Sequence, residues 1–248
     1  MPQPKANAFN INEFIQASKK QLTPSQAIAL SKLENSISRG DVISQQITAN
    51  MQVANFWKDS ARAFEPYAFY VAEAAKLDKS EKNLTFAAQL FLDNLRSEND
   101  EAKMNWEAGE AVSLFEKALE LNPESDDLKI GLASSYIFGR GRTGTAEETM
   151  KGIQLLLGVV RKDSTNMKAQ LVLGIGGFVS GQYDKAVDRL TKVVNAQPDN
   201  FEAVAMLADT YAAKGDKANA LKWYGVVKRM TNDPGYLREV DERIKQLR

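Results

Sequence analysis

One block of the chain is written twice. "GQYDKAVDRLTKVVNAQPDN" occupies residues 181–200, and "GDKANALKWYGVVKRMTNDP" follows at 215–234. The register holds position by position. Gly181 and Gly215, Leu173 and Leu207, Gly174 and Ala208, and Ala186 and Ala220 each stand 34 residues apart, with Leu190 and Tyr224 at matching places. A fixed period of this length marks an array of stacked structural units. No unit of this kind can bury its own apolar face, so neighbours must stack to build a shared core.

The unit is helical. Apolar residues recur at intervals of three and four along most of the chain, and the alternation expected of strands is missing. In "GYLREVDERIKQLR" the apolar set is Leu237, Val240, Ile244 and Leu247, with charge on the other faces. A helix with one apolar stripe and a charged remainder closes the open end of an array. Start signals agree: in "TPSQ", Thr23 caps, Pro24 takes the first helical position and Gln26 completes a capping box. Asp199 and Glu202 have the same spacing.

The order Leu, small residue, turn Gly, then Ala resembles the tetratricopeptide repeat, a helix–turn–helix unit of 34 residues. The resemblance covers residues 83–234 well and the earlier part weakly. It implies an all-α, right-handed superhelical solenoid of antiparallel helix pairs. The expected organisation is a disordered tail (1–9), an N-terminal helical hairpin as cap (10–40) and a degenerate repeat (41–82) holding Trp57, Tyr67, Phe69 and Tyr70. Four repeats follow (83–125, 126–166, 167–200 and 201–234), then a C-terminal capping helix (235–248). In the first repeat, "RSENDEAKMN" reads as a long polar turn between the two helices. In the second, the segment "FGRGRTGTAEE" delays the second helix by seven residues. The layout is also similar to bacterial members of the family that carry one N-terminal membrane helix. This chain shows no such anchor, so it is expected to be cytoplasmic or the soluble part of a membrane-anchored envelope protein.

Several chemistries are removed by composition. Without Cys or His there are no disulfides, thiol nucleophiles, His-based acids or bases, or Cys- and His-type metal sites. Lys plus Arg equals Asp plus Glu, at 32 each, which lacks the basic excess that phosphate neutralisation requires. No apolar run spans a bilayer. "GRGRTG" (139–144) fits a glycine fingerprint, but a helical pattern precedes it where a dinucleotide site needs a strand. It reads as an enlarged turn on which Arg140 and Arg142 are candidate contacts for an anionic group. The glycines of "GIGGFVSG" read as sites of close helix approach at Gly174 and Gly177, with Gly176 unexplained. The acidic clusters "SENDEA" and "PESDD" lack the calcium-loop pattern. Trp106 and Trp223 read as core residues. No catalytic set, metal site or cofactor site is expected.

The family's first helices line a groove that holds ligands. Carried over by position, this groove would present Ile130, Ser134, Ile137 and Phe138 from one repeat. The next would add Lys168, Leu171, Val172, Ile175, Phe178 and Val179, and the last Glu202, Met206 and Asp209. Residues 167–180 are apolar nearly all round, which predicts cover on both faces. The expected function is a scaffold or adaptor holding a protein or peptide segment in this groove. Self-association is the alternative, and a subunit role in an enzyme complex a third reading. Asn is absent at Ser134 and Ile175, where the family's grip on chaperone C-terminal carboxylates would need it.

Overall fold

In the computed structural model, residues 8–38, 42–140 and 146–247 are described. All regular structure among them is helical, and the chain divides into two units, Met1–Thr145 and Ala146–Arg248.

The first unit contains α1 (Ile11–Lys19), α2 (Pro24–Ser38), α3 (Ile43–Asn55), α4 (Phe64–Asp78), α5 (Glu81–Leu95), α6 (Glu101–Leu121) and α7 (Asp126–Ser135). Most helices pack mainly on their chain neighbours, most extensively α3 on α4 and α5 on α6, whereas α1 packs on α4. The Thr23 capping box forms: Gln26 N–H donates to Thr23 Oγ1 at 3.3 Å, and Thr23 N–H donates to Gln26 Oε1 at 3.0 Å. These bonds satisfy two donors that the helix start would otherwise leave open. The α3 helix ends in a π-helical turn, Phe56–Ala61, and α7 ends in another, Tyr136–Arg140. The first lets two consecutive aromatic residues, Phe56 and Trp57, both be buried. They join Ile15, Leu30 and Val53 in one core, against which Tyr67, Phe69 and Tyr70 pack. Phe9, at the end of the expected tail, lies 5.4 Å from the Phe14 ring and 5.0 Å from Trp106.

The polar turn expected at 96–105 is much shorter. Asp100 accepts from the N–H groups of Ala102 and Lys103 and starts α6 at Glu101. The acidic residues read as turn chemistry therefore supply the cap and first turn of a helix, where negative charge is favoured.

The second unit contains α8 (Ala146–Lys162), α9 (Met167–Val179), α10 (Tyr183–Ala196), α11 (Phe201–Lys214), α12 (Lys217–Met230) and α13 (Pro234–Leu247). Here the period is visible atom by atom. Gly181 and Gly215 both adopt left-handed backbone, with φ of 72° and 83°. That conformation costs a residue with a Cβ about 1–2 kcal/mol. Asn166 and Asn200 accept from the N–H groups of Ala169 and Ala203, each at 3.0 Å. The cap before α11 is thus Asn200 and not Asp199, because Asn200 is the extended residue directly preceding the helix. Ala186 and Ala220 are fully buried, as are Leu190 and, nearly, Tyr224. A Cβ on Gly174 would stand 2.7 Å from Leu190 Cγ, and one on Gly177 would stand 3.2 Å from Ala186 Cβ. Bare backbone at these two places is what allows α9 to sit so close to α10. Burying a Leu such as Leu190 contributes about 1.5–3 kcal/mol. Val240 of α13 is buried on the same core, flanked by Tyr236, Ile244 and Leu247.

Candidate partner-binding surfaces

The residues carried over to the groove fall into two groups. Ile130, Ser134, Ile137, Val172 and Ile175 are buried. The Ser134 hydroxyl donates to the Ile130 carbonyl at 2.8 Å. Side chains enclosed in this way pack the protein and offer little to a partner. Surface remains on Phe138, Lys168, Leu171, Phe178, Val179 and Met206. Phe138 lies 5.0 Å from the Arg96 guanidinium, and the Phe178 ring centre lies 6.1 Å from that of Tyr183. Val179 is 40% exposed. Asp209 is engaged within the unit: it accepts from Tyr224 Oη at 2.6 Å and from Arg243 of α13. Burial and this carboxylate push the Tyr224 hydroxyl upward from its ordinary range. The Arg140 side chain and Arg142 lie outside the described residues.

An apolar cleft not anticipated from the sequence opens in the first unit. Ile47 and Met51 of α3 form one wall, and Lys82, Asn83 and Phe86 of α5 form the other. Val71, Ala74 and Ala75 of α4 make the floor. Its volume is about 340 Å³, at the small end of ligand pockets. Local sequence explains its shape. Ile43, Ile47 and Met51 recur every four residues and share one face of α3. Small alanines on the α4 floor leave space between the walls. Ile43 is 60% exposed and Phe86 is 54% exposed. Phe86 lines the cleft, and Ile43 stands one helical turn before the wall residue Ile47; exposed apolar residues gathered beside a cleft mark an interaction surface. The α3 spacing carries this signal in the sequence, within a stretch (41–82) that matches the repeat only weakly.

A second cleft of about 470 Å³ lies on the other side of α3. It is lined by Lys32, Asn35 and Ser36 of α2 and by Ser44, Gln45, Thr48, Ala49 and Gln52 of α3. Elsewhere in this unit, Glu107 is fully buried and accepts from Asn94 Nδ2 at 2.8 Å. Burial pushes its carboxyl up to about 7, with Glu98 and Glu65 adding to the effect and Asn94 opposing it. Among the described residues no group of three or more His, Cys, Asp or Glu is placed to hold a metal ion. No described helix is long and apolar enough to cross a membrane.

Helical hairpins that repeat at a fixed period and pack on their neighbours define an all-α repeat fold, a class that presents extended surfaces for protein interaction. Residues 180–238 match the family model of the tetratricopeptide repeat, and the all-α repeat fold of the chain is similar to that of solved tetratricopeptide-repeat proteins. No curated protein matches the sequence. Among solved structures, a thermophilic tetratricopeptide-repeat protein of Thermus thermophilus is similar with a TM-score of 0.57 and 15% identity. The match covers 81% of this chain and 98% of that one. A tetratricopeptide-repeat protein of Parabacteroides merdae matches with a TM-score of 0.52 and 13% identity, over 96% of this chain and 98% of that one. PilW, a type IV pilus biogenesis factor, matches with a TM-score of 0.52 and 20% identity, over 74% of this chain and 77% of that one.

Proposed function

We propose that this chain is a protein-interaction scaffold that holds a partner segment in the cleft between α3 and α5. The observation that carries this reading is Phe86. It is a large apolar side chain, 54% exposed, on the wall of a preformed apolar cleft. Filling the cleft would remove Phe86, Met51 and Ile47 from water, at about 25 cal/mol per Å² of apolar area. The alanine floor allows an incoming side chain to approach the α4 backbone closely. The accessible members of the second-unit set, Leu171, Phe178, Val179 and Met206, form a further surface of the same kind.

A photo-crosslinking residue at position 86 tests the reading. Leu121 is equally exposed at 54% but lines neither cleft, so position 121 is the control. A defined adduct is expected from position 86 and not from position 121. The purified partner should then bind wild type at least tenfold more tightly than a folded Met51→Glu/Phe86→Glu variant, a difference of about 1.4 kcal/mol. Equal adducts at both positions, or equal affinity for both proteins, would remove the cleft from the interaction.

A further inference from the structure

Charge around α3 indicates what kind of segment the cleft accepts. The whole of α3, "ISQQITANMQVAN", contains no charged residue. The two clefts that flank it are lined by lysines at positions 32 and 82 and by no carboxylate.

Several other lysines of this unit are held by carboxylates, while exposed Lys20, Lys79 and Lys117 are as unpaired as the two cleft lysines but line neither cleft. Lys19 reaches Glu34 at 2.7 Å. Lys76 reaches both Glu73 and Glu110 at 3.0 Å. Lys103 is paired with Glu65. Lys32 and Lys82 are exposed and have no hydrogen bond or ion pair with any described residue. Lys82 lies on the same wall as Phe86, one helical turn toward the N-terminus of α5. An apolar anchor in the cleft would therefore bring its flanking residues against a free ammonium group.

We infer that the cleft selects an acidic partner segment: large apolar side chains that enter between α3 and α5, with carboxylates beside them that pair with Lys82 and, across α3, with Lys32. This rests on the cleft reading above and adds the chemistry of the occupant. Apolar burial supplies most of the affinity, and the lysines supply the choice between partners. Exposed ion pairs are individually weak, so each lysine should contribute up to about fivefold and the two together on the order of tenfold or more. Rim charges act chiefly on discrimination and on-rate.

The test uses the intact chain and three short fluorescent peptides with one shared Leu/Phe pattern. Their flanking positions carry Glu, Gln or Lys. Binding is followed by anisotropy at low salt and again at high salt. The Glu peptide should bind about tenfold or more tightly than the Lys peptide, with the Gln peptide between them. The gap should shrink with salt, because exposed charges are screened. Lys32→Glu/Lys82→Glu should invert the order, since both substitutions lie on the surface and leave the core untouched. Equal binding of all three peptides, lost in Met51→Glu/Phe86→Glu, would overturn the charge preference and leave the cleft reading standing. Failure of all three peptides to bind would overturn both.

Discussion

The guanidinium of Arg243 donates to the carboxylate of Asp209, thirty-four residues earlier in the chain, so that one repeat period of sequence becomes one contact between α13 and α11. Tyr224 of α12 donates its hydroxyl to the same oxygen at 2.6 Å. Arg243 also bonds Glu239 at 2.7 Å on its own helix. The carboxylates push the guanidinium further up from its ordinary value, against the opposing effect of burial. The last helix is thus fastened by a shared acceptor as well as by Val240.

Removal of the donor and removal of the acceptor should differ. Arg243→Ala loses a partly exposed ion pair and should cost about 0.5–1 kcal/mol. Asp209→Ala leaves both Arg243 and Tyr224 without their acceptor and should cost about 2 kcal/mol. Urea unfolding gives the two values, and amide exchange should show α13 loosening before α11 in either variant. An Asp209→Ala cost no larger than that of Arg243→Ala would mean that the shared acceptor is energetically idle.

Two glycines in helices should respond to alanine with opposite signs. Gly158 of α8 is exposed, and a Cβ there would meet nothing within 4 Å. Gly158→Ala should therefore stabilise by up to about 1 kcal/mol, the difference in helix propensity. Gly174→Ala gains the same propensity but drives a methyl group to 2.7 Å from Leu190 Cγ, which is fully buried. Overpacking of this kind costs about 1–3 kcal/mol, so the net effect should be destabilising. Thermal melts of both variants decide the matter; a rise in Tm for Gly174→Ala would show that α9 and α10 can separate at little cost.

Glu107 should make stability depend on pH. Its folded carboxyl is pushed up to about 7 from an ordinary value of 4.5, so the folded state binds this proton more tightly than the unfolded chain does. The contribution is fully present below about pH 4.5 and is lost as pH rises through about 7. Its size is on the order of 3 kcal/mol. Glu107→Gln keeps a neutral side chain at every pH and should flatten the profile across that window, leaving the variant more stable than wild type at pH 8. Denaturation curves collected across this range that stay parallel for the two proteins would remove Glu107 from the pH response.

Much of this architecture is legible without coordinates because its determinants are local. Gly181 and Gly215 announce left-handed turns, Ala186 and Ala220 announce close helix contacts, and Thr23 with Gln26 announces a helix start. Each depends on neighbours within a few residues or one repeat away. The start of α6 is a local signal with two meanings: Asp100 is as good a cap as a turn residue, and the choice between them depends on what the first turn of α6 packs against.

Exposure could not be read in the same way. Val172, Ile175 and Phe178 lie on one short helix and look alike in sequence, yet Val172 and Ile175 are buried and Phe178 retains surface. The exposed Phe86 stands beside a cleft because α4 presents alanines where α3 and α5 present large side chains. Glu107 is closed off from water although it is charged and lies in a polar stretch of sequence. A chain determines by itself which residues repeat and where its helices turn, since those follow from backbone geometry and nearby side chains. Which faces remain open is settled only when distant helices pack, because burial is a property of all the neighbours together.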